Sequence, residues 1–259
     1  MEVHHHSHTA RKKWTHYFWE FLMLFLAVFC GFLAENKREH IVEAHRAKEY
    51  ARSLLEDLKE DTAEIKGGIR QLNFMLSAFD SCIQKGLKYT GKPAVPGSFY
   101  YYSRLIVTAY AIDWNESTLS QLIQSGNLRY FKNKNLVKKI NRYHALHGLI
   151  RSNNETDHQH RMQILEIKNK LLSPKYYEVF APLEISNEMK GYPPSKPVAR
   201  LLSQQLPLQN GSAGLMEEYL NQLMDRKTRN VRYVNEQYPN VLNAALEIIE
   251  LLSKEYHLK

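Results

Sequence analysis

Apolar side chains run without interruption from Phe21 to Ala34, in the order FLMLFLAVFCGFLA. With Trp14, Tyr17, Phe18 and Trp19 ahead of it, segment 14–34 reaches the roughly 20 residues a helix needs to cross a bilayer. Tryptophan and tyrosine at the leading edge suit a lipid–water interface. A helix buried in a globular core would keep a polar face at helical spacing, and none follows Glu20. A signal peptide is the competing expectation, because Arg11-Lys12-Lys13 stands before the apolar run. Cleavage after Phe32-Leu33-Ala34 or Gly31-Phe32-Leu33 would meet a bulky residue where a small one is wanted. A lipoprotein-type cut before Cys30 would meet Phe29. The pattern therefore predicts a retained transmembrane helix over 14–34, behind a basic, His-rich tail over 1–13.

The period changes after Ala34. Ala51, Leu55, Leu58, Thr62, Ile65, Ile69, Leu72, Leu76, Phe79 and Ile83 alternate steps of four and three, a heptad seam with one polar member. Leu54, Met75 and Cys82 widen the stripe, which favours a bundle helix over a narrow two-stranded coil. A long amphipathic helix over 35–86 is predicted, with a bend at Gly67-Gly68, where each glycine costs about 1 kcal/mol of helix stability. The seam would pack against later helices of the same chain, or self-associate as a parallel stalk.

Glycines and prolines in GLKYTGKPAVPGSFYYY, residues 86–102, end that rod. The rest, 87–259, reads as a helical bundle. One helix is expected from an N-cap at Asn115 or Ser117 to Ser125-Gly126, and another from Asn133 through Leu136, Ile140, Tyr143, His147 and Ile150. SNNETDHQH (152–160) reads as a loop, after which helix resumes over Met162–Leu172 and stops at Ser173-Pro174. A proline-rich connector near 173–212 is expected to be irregular apart from the short VARLLSQQL. Helix then returns from Gly214 to about Tyr238, and Pro239 starts or kinks the last one. The fold class expected is all-α.

Composition adds bounds. Over 259 residues, 35 Lys+Arg face 27 Asp+Glu, a net +8, interleaved along most of the chain as on solvated helix surfaces. Two cysteines, Cys30 and Cys82, exclude a disulfide-stapled scaffold. On a continuous helix they would stand roughly 75 Å apart, at about 1.5 Å per residue. His4 to His8, broken by Ser7, reads as a native solvated tail.

Glu20 needs its own account. An acid at mid-bilayer costs about 2.5–3.5 kcal/mol, whereas each Leu, Phe or Val returns roughly 0.3–0.6 kcal/mol. The apolar run outweighs one acid, and Glu20 sits only about 9 Å along the helix from Trp14. His16 lies one turn earlier on the same face. Two readings follow: a proton-linked or helix-pairing contact, and an acid near the headgroups that is protonated or snorkels.

Candidate chemistry elsewhere is thin. His144 and His147, with Asp157, His158 and His160, resemble a metal-ligand set most closely. On a helix His158 and His160 point apart, so a site would need 152–160 to be a loop. No HExxH, glycine-rich phosphate loop or GxSxG occurs. No catalytic, cofactor-binding or metal residue is assigned, and no cofactor is expected. A metal-dependent enzyme using His144, His147, His158 and His160 remains the least favoured alternative. Lys132, Lys134, Lys138, Lys139 and Arg142 make a basic stripe that nucleic acid would need. A solvated face or lipid phosphates explain it as well, and nucleic acid is not expected as a partner. Phe99–Tyr102 could stack bases or sugars, or pack over the end of the bundle.

Two segments resemble a family. WEFLMLFLAVFCGFLAENKREH (19–40) with RAKEYARSLLEDLKED (46–61) resembles the N-terminal region of uncharacterised single-span envelope proteins of Gram-negative bacteria. LIQSGNLRYFKNKNLVKKINRYH (122–144) is similar to that family's second block, a Ser-Gly-Asn-Leu turn between two helices. The chain departs from it in Cys30-Gly31 and in aromatic residues where the span usually carries aliphatic ones. The resemblance implies an inner-membrane, single-pass topology and no known activity. Lys and Arg flank the span on both sides, and a cytoplasmic N-terminus with the bulk in the periplasm is favoured. The expected function is a membrane-anchored helical interaction or scaffold module. Its partners would be the bilayer and another copy or other membrane proteins, with Ala27 and Gly31 hinting at helix association in lipid. A ligand-sensing bundle acting through a membrane partner is the alternative, since the segment before the span is too short to hold an output domain.

Overall fold

A computed structural model describes residues 14–108, 112–180 and 185–258. The tail expected over 1–13, with Arg11, Lys12 and Lys13, lies outside the described residues. The chain divides into two compact units, Met1–Tyr50 and Ala51–Lys259. A single helix, α1 (Trp14–Tyr89), contributes to both.

In the first unit α1 exposes its large apolar side chains, Met23 at 70% and Phe21 at 65% among them. Its faces differ. Phe21, Phe25 and Phe29 stack one above the next, with ring centroids 6.2 and 5.9 Å apart, because residues four apart share a helix face. Glu20, Leu24, Ala27 and Gly31 recur at four, three and four on another face.

In the second unit the predicted seam is largely the buried side of α1. Ala51, Leu55, Leu58, Ile65, Leu72, Phe79 and Ile83 are buried, and so are Leu54, Met75 and Cys82. Ile69 and Leu76 are half-buried. The bend expected at Gly67-Gly68 does not break the helix. Buried Ile65 and Leu72 on either side supply packing that outweighs the roughly 1 kcal/mol propensity cost per glycine. Cys30 and Cys82 are both free thiols.

Two further long helical stretches complete a three-helix core. Asn133 caps α4 (Lys134–Leu171), its side chain accepting from the backbone N–H groups of Asn135 and Leu136. The loop expected at 152–160 is instead the middle of this 38-residue helix. Nothing in SNNETDHQH breaks a helix, and two of its side chains are engaged by the neighbouring strand of helix. Asn153 donates to Gln237, and Asp157 accepts from Arg226. α8 (Ala213–Arg232), a π turn (Tyr233–Gln237) and α9 (Tyr238–Tyr256) follow one another without a gap. Asn133 reaches Glu255, Lys139 reaches Glu247 and Asp157 reaches Arg226, so α4 and α8–α9 run antiparallel. α1 runs parallel to α4: Asp61 meets Tyr143, while Phe79, farther along, faces Arg226 at the level of Asp157.

Pro239 explains the π turn. A proline has no N–H and its ring crowds the carbonyl four residues back. Tyr238 N–H therefore bonds Tyr233 O, five residues back. Buried positions step by four twice in succession, from Asn230 to Val234 to Tyr238, before resuming at Val241, Ala245, Ile248 and Leu252. The wider turn takes up the extra residue.

The remaining segments lie over this core. α3 (Ser117–Gln124) ends at Ser125, and Gly126 takes the left-handed conformation expected of it, φ 69°. The connector is more ordered than expected. Gln205–Pro207 (β2) pairs antiparallel with Ala94–Pro96 (β1), within an otherwise all-α fold. α2 (Gly97–Leu105) packs on this pair, α5 (Pro174–Phe180) and α7 (Lys196–Leu202) pack on α2, and α6 (Ile185–Met189) is tied to α2 by the hydrogen bond from the Tyr101 hydroxyl to Glu188. Tyr100 fastens the strand pair: its hydroxyl donates to Pro207 O at 2.7 Å and accepts from Ser173 N–H at 2.9 Å.

Gly97 lies against α7 so closely that an added Cβ would fall 1.8 Å from Leu201 O. Gly97→Ala should lower stability by about 2 kcal/mol or more through overpacking. Gly148→Ala, at an open position inside α4, should raise it by about 0.5–1 kcal/mol. Urea unfolding of the purified protein, followed by circular dichroism, measures both.

Candidate functional site

The residues singled out by sequence do not converge. His16 Nε2 lies 3.2 Å from Glu20 Oε1, both side chains about half exposed, 53% and 50%. His144 is exposed, and His147, one turn on, is buried at 5%. His158 is exposed, with Nδ1 2.7 Å from an Arg161 nitrogen. His160 is half-buried with its Nδ1 unbonded. Because 152–160 is helical, His147 and His158 stand about 16 Å apart along one axis, and the four histidines cannot share an ion. Among the described residues no three His, Cys, Asp or Glu side chains group as metal ligands. The basic stripe is exposed at Lys132, Lys134, Lys138 and Arg142, while Lys139 pairs with Glu247. Of the aromatic run, Phe99 and Tyr100 are fully buried, while Tyr101 and Tyr102 are half-buried.

Three polar clusters inside the bundle were missed, and each sits on an apolar stripe. In the first, Asp57 and Asp61 face inward from α1, 8% and 3% exposed. Asp57 accepts from Thr118 N–H at 3.2 Å, capping α3, whose own N-cap Glu116 makes no such bond. Asp61 accepts from Asn115 N–H at 2.9 Å and from the Tyr143 hydroxyl at 2.5 Å. Burial holds the Asp61 carboxyl above its usual range despite these donors, and burial with the neighbouring carboxylate pushes the Tyr143 phenol far up. The arrangement anchors the segment before α3.

His147 borders this cluster, edge-on to Trp114 with ring centroids 4.4 Å apart. Its Nε2 is 3.2 Å from Glu116 Oε1 but makes no aligned hydrogen bond. Burial keeps the imidazole below its ordinary pKa, against the pull of Glu116. A cleft of about 520 Å³ lies alongside, lined by Glu60, Ala63, Glu64, Asp113, Trp114 and Asn115.

In the second cluster Arg226, 2% exposed, forks onto both oxygens of Asp157 at 3.1 Å. It also donates to Ile106 O, and to Thr108 O at 3.2 Å, over the Phe79 ring. A guanidinium meets such planar demands where an ammonium would not. The third cluster joins Lys168 of α4, 3% exposed, to Tyr177 of α5, with Nζ 2.7 Å from the hydroxyl. Nearby, the Cys82 Sγ and Ser103 Oγ lie 3.4 Å apart, and burial pushes that thiol up to about 12, which makes it unreactive.

Comparison of the chain with protein families, with curated proteins and with solved structures gives no match.

Arg226→Met should cost about 3–5 kcal/mol, because it removes a buried guanidinium and leaves the largely enclosed Asp157 carboxylate without its partner. Arg226→Met combined with Asp157→Leu should recover much of that loss, read from urea midpoints. His147 gives a pH signature. Its folded pKa is depressed, so its contribution is complete above the unfolded value of about 6.5 and is lost as pH falls below it, when the unfolded chain takes the proton first. Stability should therefore drop between pH 7.5 and 5.5, and His147→Gln should flatten that drop.

Proposed function

We propose that this chain is a membrane-anchored helical interaction module. Its apolar segment 14–34 stays in the bilayer, and its second unit offers a helical surface to partners. One observation carries the reading. Among the described residues, α1 alone is long and apolar enough to cross a membrane, and none of its apolar window is buried against the rest of the protein. The same unbroken helix continues as the amphipathic core helix of the bundle. A cleaved leader would normally be separated from the mature fold by an extended cleavage region, and here helix runs through every position from Phe32 to Tyr50.

The topology we favour is single-pass in the inner membrane of a Gram-negative cell, N-terminus cytoplasmic and bulk periplasmic. That placement draws on the resemblance to single-span envelope proteins. Within lipid, the face bearing Glu20, Leu24, Ala27 and Gly31 suits close helix approach, because small residues let backbones near each other. The stacked Phe21, Phe25 and Phe29 suit acyl chains. The polar clusters of the bundle support a scaffold more than an enzyme, since Asp57, Asp61 and Arg226 spend their bonding capacity on fastening segments together.

Alkaline carbonate extraction of membranes tests the anchor: full-length protein should stay in the pellet, and its release would overturn the proposal. Alkaline phosphatase fused after Lys259 should be active; activity of a cytoplasmic reporter at that site would instead reverse the topology.

A further inference from the structure

We propose that the pocket beside the C-terminal end of α4 binds a small oxyanion, a carboxylate or phosphate monoester on an apolar body, through the Lys168 ammonium and the Tyr177 hydroxyl. Lys168 occupies a core position between Ile164 and Leu171, both fully buried. A buried ammonium is costly unless a negative charge accompanies it. Among the described residues no carboxylate comes within ion-pair distance of Lys168. Its hydrogen-bond partner is the neutral phenol of Tyr177, whose ring also lies 4.2 Å from Nζ at its centroid. The charge that acts on it is another cation, Arg104. Burial and that neighbour together pull the lysine down to about 8.

This arrangement differs in kind from Arg226, which has Asp157, and from Lys139 and Lys227, which have Glu247 and Asp80. Tyr177 accepts from Lys168, and its own O–H proton has no acceptor among the described residues. Burial pushes that phenol up to about 12, so it stays protonated and able to donate. An oxyanion seated beside this bonded pair, within reach of both groups, would receive one charged and one neutral hydrogen bond.

The space is there. A pocket of about 320 Å³, lined by Lys168, Leu172, Pro174, Tyr177, Glu178 and Gln209, opens at this point. That volume suits a ligand about the size of a substituted benzene ring. Leu172, Pro174 and the Tyr177 ring give it an apolar wall, so the favoured ligand carries its anionic group on a hydrophobic body. A soluble metabolite and a lipid headgroup share this chemistry. The inference does not rest on the membrane placement of residues 14–34.

The test uses full-length protein in neutral detergent, with phenyl phosphate and benzoate as soluble probes and phosphatidic acid vesicles as the lipid probe. Acetic anhydride labelling of Lys168, read by mass spectrometry, should slow severalfold when a probe is bound. Protection by the soluble probes points to a free metabolite, and protection by vesicles alone points to a headgroup; either supports the proposal. Lys168→Met should abolish probe binding in calorimetry while its circular dichroism melt shows a folded protein. Tyr177→Phe should weaken binding about tenfold, the loss expected for one hydrogen bond to a charged group. Undiminished binding to folded Lys168→Met, or no protection of Lys168 by any probe, overturns the assignment.

Discussion

The inward side of α1 between Ala51 and Gly86 is the constraint from which the second unit is built. It presents Ala, Leu, Ile and Met side chains, Phe79 and the Cys82 thiol, most of them nearly free of solvent, with Asp57, Asp61 and Thr62 set among them. Burying a stripe of that kind contributes about 25 cal/mol for each Å² of apolar surface removed from water. No two-helix arrangement covers so broad a stripe, and α4 and α8–α9 close over it from two sides. The approach is tight enough that a Cβ at Gly86 would fall 2.4 Å from Leu220 Cδ2. The order of the remaining pieces follows. α3 is capped by a carboxylate of α1, and the turn that follows α2 is pinned at Ile106 and Thr108 by Arg226.

Much of this was legible from periodicity, and the failures have physical causes. The seam of α1, the N-cap at Asn133 and the left-handed turn at Gly126 could be read because each expresses a local preference. The continuity of α4 could not. A polar run such as SNNETDHQH has weak intrinsic helicity, and what holds it helical is the engagement of Asn153 and Asp157 by residues far along the chain. The β1–β2 pair was invisible for a similar reason: its strands are three residues each, flanked by proline, and are fastened by Tyr100.

The polar clusters were legible in principle. Asp57 and Asp61 fall beside Leu54, Leu58 and Ile65. Lys168 falls between Ile164 and Leu171, and Arg226 between Leu223 and Asn230. A charge in step with an apolar stripe is a sign that a partner waits across the core. Reading the stripes for hydrophobic members alone passes over it. The histidines drew notice by composition instead, and of His144, His147, His158 and His160 it is His147 that is buried.

The π turn at Tyr233–Gln237 has a consequence for how this bundle tolerates change in chain length. Removing a single residue from an ordinary helix swings everything downstream by about 100° and tears its packed face away from the core. Here one residue is already surplus to the heptad rhythm, held in a loosened coil just ahead of Pro239. A contraction at that spot would draw the coil back to normal pitch while Val241, Ala245 and Ile248 kept their bearings. The seam between α8 and α9 is thus a slack link in an otherwise inextensible rod.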